Sequence, residues 1–247
     1  MESLLPKFAR ASHASHVKRF LSGLPGSQVE VDSSRLALGF YCIGALDLLG
    51  ALQSKTTETD RNLWREWIWE QQTHGPHGSG FRPSPFATPD SSSPAPYTDY
   101  DGPHLVMTYT ALLTLAILRD DFSKLDRPGL VKFIRTCQRD DGSFSIVPRN
   151  GDTDLRTLYC AFCICDMLDD WSGMDVERAV KFIGTCRVNT TLFSPDMTHH
   201  ISSDVRRWLW PGVLLRGIGR SYIYRARVII SGSSSRQSSA IDPRAAE

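Results

Sequence analysis

Residues 154–168 read DLRTLYCAFCICDML, and from Leu158 to Leu168 only Asp166 is charged. The run has the length of a helix and carries apolar side chains on every face. A helix apolar all round must be covered all round. Two other stretches share this character: SRLALGFYCIGALDLLG at Ser34–Gly50 and HLVMTYTALLTLAIL at His104–Leu118. Three separate fully buried helices in one chain require a layer of partners around them.

The partners are legible between them. In 127–138 the apolar residues are Leu130, Phe133, Ile134 and Cys137, and in 175–186 they are Val176, Ala179, Val180 and Ile183. Both sets follow the i, i+3, i+4, i+7 template of a one-sided helix. The segment 61–72 contributes Trp64, Trp67 and Ile68. Buried and half-buried helices therefore alternate along the chain. They also repeat. Phe40, Tyr109 and Tyr159 share one register, with spacings of 69 and 50 residues, and KFIRTCQRDDGSF at 132–144 aligns with KFIGTC at 181–186 at an offset of 49. A period near 50 with two helices per unit predicts stacked helical hairpins in two layers. The fold class is all-α, either a solenoid or a closed α/α toroid. The 19 extra residues of the longer spacing fall in 74–103, which holds seven prolines. They read as a surface loop or as a loop at the rim of the barrel. Pro128 suits a first helical turn, Asp175 an N-cap, and Gly142 a left-handed turn beyond its helix.

Composition bounds the function. The whole chain carries 28 basic and 27 acidic residues, a net charge of +1 that argues against a general nucleic-acid binder. Residues 187–247 differ from the rest, with nine Arg, no Lys and four acids. The N-terminus lacks the apolar core of a signal peptide, and the longest apolar stretch, Leu105–Leu118, is too short for a membrane span. The expectation is a soluble, cytoplasmic protein with reduced thiols. Cys160, Cys163 and Cys165 have metal-like spacing, but zinc knuckles need a turn between ligands, so these read as small core residues.

The segments SSRLALGFYCIGALDLL (33–49), PHLVMTYTALLTLAILRDD (103–121), QRDDGSF (138–144) and DLRTLYCAFCICDMLDDWSGMD (154–175) resemble the β subunits of the protein prenyltransferases, most closely those of geranylgeranyltransferase type I. The resemblance covers residues 14–186. It implies an α/α toroid of about six hairpins, paired with a helical-repeat prenyltransferase alpha subunit. It implies transfer of a geranylgeranyl group from geranylgeranyl diphosphate to the cysteine of a C-terminal CaaX motif, on proteins such as small GTPases. It also implies zinc as a cofactor. By the same resemblance Ala37, Tyr41, Val106 and Thr157 fall where inner helices meet the CaaX side chains. His104 and Arg156, with Asp152 beside them, fall at the site of the peptide carboxylate. A guanidinium and a hydrogen-bond donor suit such an anion. The competing readings are a helix-start role for His104 and a surface pair between Arg156 and Asp152.

The family's zinc ligands include an Asp-x-Cys pair, and this sequence contains no Asp-x-Cys. Residues 1–186 therefore read as the N-terminal half of a toroid, and 187–247 as an irregular, disordered Arg/Ser-rich tail outside the family pattern. The tail could arise from intron read-through, a frameshift or a diverged third turn. His199 and His200 near Cys186 read as solvated side chains. The expectation is an incomplete ring, inactive as an enzyme by itself. The alternatives are a non-catalytic fragment that contacts only the alpha subunit, and a farnesyltransferase-type or other α/α-toroid enzyme. A terpene cyclase would need an acidic motif richer than the pairs Asp120-Asp121 and Asp169-Asp170.

Overall fold

The computed structural model describes residues 8–85, 101–186 and 222–230. The chain begins with α1 (Arg10–Ser22), a 3-10 segment (Gly26–Ser34), α2 (Arg35–Leu48), the short α3 (Leu52–Lys55) and α4 (Glu58–Trp69). A β-hairpin follows, β1 (Gln72–Gly75) and β2 (Gly78–Phe81), then α5 (Leu105–Ile117) and α6 (Arg127–Cys137). A second hairpin, β3 (Ser145–Val147) and β4 (Asn150–Thr153), leads into α7 (Leu155–Leu168) and α8 (Val176–Thr185). Residues 222–230 form a further helix, α9.

The two layers are present. α2, α5 and α7 lie side by side as the inner layer, with α5 in the middle. Leu112, Leu113, Leu115 and Ala116 of α5 are wholly buried, as are Ala161, Ile164, Cys165 and Met167 of α7. α4, α6 and α8 return on the outside, and each buries one stripe. For α6 that stripe is Leu130, Phe133, Ile134 and Cys137, the four positions expected from the spacing. α8 buries only Ala179 fully, with Val176, Val180 and Ile183 half-covered.

The signals expected at Pro128, Asp175 and Gly142 act as read, and Asp126 and Asp154 add caps not named among them. Asp126 caps α6 through Gly129 N, with Pro128 in its first turn, and Asp175 caps α8 through Arg178 N. Asp154 and Thr157 form a capping box on α7. Gly142 has φ +88°, and a Cβ there would stand 2.1 Å from the Arg178 carbonyl oxygen. The turn thus demands glycine both for its backbone and for the closeness of α8. Phe144, just beyond, is wholly buried.

Three features differ from the sequence expectation. α1 has no counterpart in it; its apolar contacts are Ala14, Val17 and Leu21, too few to mark a helix by pattern alone. The segment 74–103 does not begin as a surface loop. Its first part is β1–β2, with Ser79, Gly80 and Phe81 buried and Gly78 packed on the Gly129 carbonyl of α6. Residues 86–100 lie outside the described residues.

The third difference is α9. The expectation of an irregular tail over 187–247 fails at 222–230, whereas 187–221, with His199 and His200, and 231–247 lie outside the described residues. Tyr222, Ile223, Ala226 and Ile230 are buried, a one-sided pattern at i, i+1, i+4 and i+8. Tyr222 Oη donates to Asp47 at 2.7 Å near the end of α2. Arg227 reaches Asp166 at 3.2 Å and Asp169 at 2.6 Å at the end of α7. Arg127 links the Ile230 carbonyl to that of Leu168. α9 therefore bridges the first and third inner helices at their C-terminal ends.

Candidate functional site

The inner helices run in one direction, because each is followed by an outer helix that returns. Tyr109 and Tyr159 confirm the register: each is the fifth residue of its helix, and their hydroxyls lie 3.2 Å apart. The rings meet edge to face at 5.6 Å between centroids. On α5 only Val106 and Tyr109, three residues apart, are incompletely buried. On α7 the incompletely buried residues are Leu155, Arg156, Tyr159 and Asp166. Val106, Tyr109, Leu155 and Tyr159 lie in the first two turns of their helices and leave that part of the inner layer partly open among the described residues.

Burial pushes both phenols up, Tyr109 most strongly. Both hydroxyls are therefore neutral in the physiological range. The pair offers a polar point in an apolar wall, not a base or a nucleophile.

The seven residues singled out in the sequence all lie in the first halves of the inner helices or just before them. They are gathered at one end of the layer, opposite α9. Ala37 is buried in the first turn of α2, and Tyr41, one turn on, is 65% exposed. His104 is the N-cap of α5. Its Nδ1 accepts from Met107 N at 3.5 Å, and burial pulls its imidazole down to about 4. It is thus a neutral ring at physiological pH whose Nε2–H remains a donor. Val106 is half-buried in the first turn of α5.

Arg156 is exposed in the first turn of α7 and holds Asp154 at 2.5 Å. The expected surface partner, Asp152, is not the main one. Asp154 is preferred because it already sits at the N-cap, two residues away, while Asp152 is exposed on β4 and acts on Arg156 only as a weaker, longer-range charge. Thr157 is buried. Its hydroxyl donates to the Phe144 carbonyl at 2.6 Å, tying α7 to the turn after α6. That hydroxyl has a structural task.

The cysteines do not make a metal centre. Cys160, Cys163 and Cys165 are buried on the continuous helix α7. Burial pushes the thiols of Cys160 and Cys165 up to about 12, and that of Cys163 well above its ordinary value. Among the described residues no three His, Cys, Asp or Glu side chains lie together so as to hold a metal ion. The described residues do not by themselves fit the zinc that the resemblance implies.

Comparison with known proteins agrees with this architecture. The profile of the family described as "Prenyltransferase alpha-alpha toroid domain" matches residues 8–199. The chain belongs to the prenyltransferase α/α toroid family. The match passes the boundary at 186 that the repeat had set. The chain is similar to the geranylgeranyl transferase type-1 subunit beta of Arabidopsis thaliana, 32% identical over 168 residues. That alignment covers 65% of this chain and 44% of the relative. The Dictyostelium discoideum protein of the same name is 32% identical over 167 residues, covering 61% and 47%. The protein farnesyltransferase subunit beta of Schizosaccharomyces pombe is 25% identical over 163 residues, covering 65% and 37%. The chain thus spans less than half the length of these relatives. The Candida albicans protein geranylgeranyltransferase-I, solved in complex with GGPP, superposes with a TM-score of 0.64 at 24% identity. That superposition covers 72% of this chain and 51% of that one, and it supports the fold.

Proposed function

We propose that this chain is part of the β subunit of a type I protein geranylgeranyltransferase acting in the cytoplasm. In that reaction the cysteine sulfur of a C-terminal CaaX motif takes the geranylgeranyl group and diphosphate leaves. The observation that carries the type I reading is the identity of 32% to two geranylgeranyltransferase β subunits against 25% to a farnesyltransferase one. The apolar inner face around Tyr109 and Tyr159 suits a prenyl chain, and the neutral His104 with the exposed Arg156 suits a peptide carboxylate. Ala37, Tyr41, Val106 and Thr157 are the neighbouring wall, with Asp152 at its edge. An alpha subunit is the expected partner. Among the described residues no helix is long and apolar enough to cross a membrane.

The described residues suit a wall for the two substrates, and no three metal-ligating side chains lie together among them. That observation favours a second reading, in which these 247 residues contact the alpha subunit without catalysing transfer. Replacing the corresponding segment of an active type I β subunit by residues 8–186 separates the readings. The hybrid, paired with its alpha subunit, should prefer geranylgeranyl diphosphate and a CaaX peptide ending in Leu. A preference for farnesyl diphosphate would overturn the type I assignment. A hybrid that binds the alpha subunit but accepts neither prenyl donor would favour the non-catalytic reading.

A further inference from the structure

Asn150 and Gly151 are the one Asn-Gly pair of the sequence. They open β4, directly after the tight turn at 148–149, and Asn150 is exposed. The backbone nitrogen of Gly151 donates to the side-chain oxygen of Asn150 at 2.7 Å. The amide carbon lies one bond, about 1.2 Å, beyond that oxygen. Nitrogen and carbon are therefore held roughly 3–3.5 Å apart, a near-attack separation. Glycine permits the approach. Gly151 has φ +85°, and a Cβ there would stand 2.5 Å from Cγ1 of Ile146. Arg139 donates to the Gly151 carbonyl at 2.5 Å and holds the residue in place.

Asp141-Gly142 offers similar local chemistry, and the fold turns its groups apart. The Gly142 nitrogen donates to the Arg139 carbonyl at 2.9 Å. Asp141 Oδ1 accepts from the backbone and the hydroxyl of Ser143 instead.

We propose that Asn150-Gly151 is a site of spontaneous deamidation, which alters the strand leading into α7. The Gly151 nitrogen loses its proton to hydroxide and bonds to the Asn150 amide carbon. That carbon releases its own nitrogen as ammonia, protonated by water, and a cyclic succinimide remains. Water opens the ring at either carbonyl and leaves aspartate or isoaspartate at 150. The net change consumes one water and releases one ammonia, with no oxidant or reductant. Isoaspartate routes the main chain through the former side chain and adds one carbon to it. The extra carbon enters where Asn150 pairs with Val147, shortly before Asp154, the N-cap of α7. Both products add a negative charge beside Asp152. Slow chemistry in the turn thus reaches the end of the inner layer that carries Arg156 and Thr157. The inference does not depend on the catalytic reading above.

The full chain is held at neutral and at alkaline pH, folded and in urea. Peptide mass spectrometry follows the conversion of amide to acid at Asn150, and enzymatic carboxyl methylation counts isoaspartate. The folded chain should react at Asn150 at least as fast as the unfolded one, and faster as pH rises. Asn150→Gln should remove both signals, because its ring closure is larger and slower. Asp141→Asn creates a second Asn-Gly pair, which in the folded chain should react at least about tenfold more slowly than Asn150, and as fast as Asn150 in urea. Should that variant not fold, the folded-to-urea ratio at Asn150 decides alone. Slower reaction of Asn150 in the folded chain than in urea overturns the proposal. Equal rates at 141 and 150 in the folded chain overturn the role given to the geometry. In the aged protein the amides of Arg156 and Thr157, which donate to Asp154, should exchange hydrogen faster. Unchanged exchange overturns the link to α7.

Discussion

The docking of α9 makes a test of which force closes the C-terminal end of the inner layer. Replace Ile223 by Ala, and separately Arg227 by Ala. Ile223 and Ala226 are wholly buried, and Ile230 and Tyr222 nearly so. Truncating a buried isoleucine to alanine costs about 2–5 kcal/mol. Arg227 has more visible contacts, yet its side chain is 42% exposed and that of Asp169 50%. Such a pair contributes about 0–1 kcal/mol. Asp166 is less exposed, at 14%, but burial raises its carboxyl pKa before Arg227 lowers it. Its second oxygen has no hydrogen-bond partner among the described residues. That pairing offsets a desolvation cost more than it adds stability. Ile223→Ala should therefore loosen α9 more than Arg227→Ala by at least about 1 kcal/mol, about fivefold in the undocked fraction. Amide hydrogen exchange over 222–230 and over the end of α2 near Asp47 reads that fraction. Raising salt from about 0.1 M to about 1 M shortens screening from roughly 10 Å to 3 Å and should leave the protection in place. If Arg227→Ala or high salt opens α9 as far as Ile223→Ala does, charge holds the helix and the apolar account is wrong.

Other expectations concern the ring itself. His104 has a folded-state pKa of about 4 against an ordinary 6.5. The unfolded chain therefore binds the proton first, and stability is lost as pH falls from about 6.5 to about 4, by up to about 3 kcal/mol. His104→Asn keeps a capping residue and should flatten that slope in urea titrations at several pH values; an unchanged slope would show that the imidazole is not the cause. Gly142→Ala combines a positive φ with a backbone clash against Arg178 and should cost more than about 2 kcal/mol, read as a shift of the urea midpoint. A neutral result would mean that α8 can move away from the turn. Native thiol titration should find Cys186 fast, Cys42 slow and Cys137, Cys160, Cys163 and Cys165 silent until unfolding. Prompt reaction of the α7 cysteines would contradict their burial.

What the sequence displays depends on how each element is stabilised. α5 and α7 are legible because they are covered on nearly every side, so their composition alone betrays them. α6 is legible because its stripe and its caps agree. β1–β2 is not, because its burial comes from contact of Gly78 and Gly80 with α6 and α5, and glycine carries no periodic signal. α1 and α9 fail for a related reason. Each buries about three or four side chains, and in α9 two arginines interrupt the apolar pattern. At the site, the ends of the inner helices are predicted by their shared register. The partner of Arg156 is missed, because the choice between Asp152 and Asp154 is made by N-cap geometry. The tasks of Thr157 and His104 within the backbone likewise become visible only once the helix starts are fixed.

The proposed reading places this toroid-family chain in a prenyltransferase β subunit, and no three metal-ligating side chains gather among the described residues. Metal analysis of the purified complex with a prenyltransferase alpha subunit tests it most directly. The expected result is a stable heterodimer that holds no stoichiometric zinc after exposure to it. One zinc per heterodimer would contradict it, and failure of the chain to join any alpha subunit would contradict the proposed partnership.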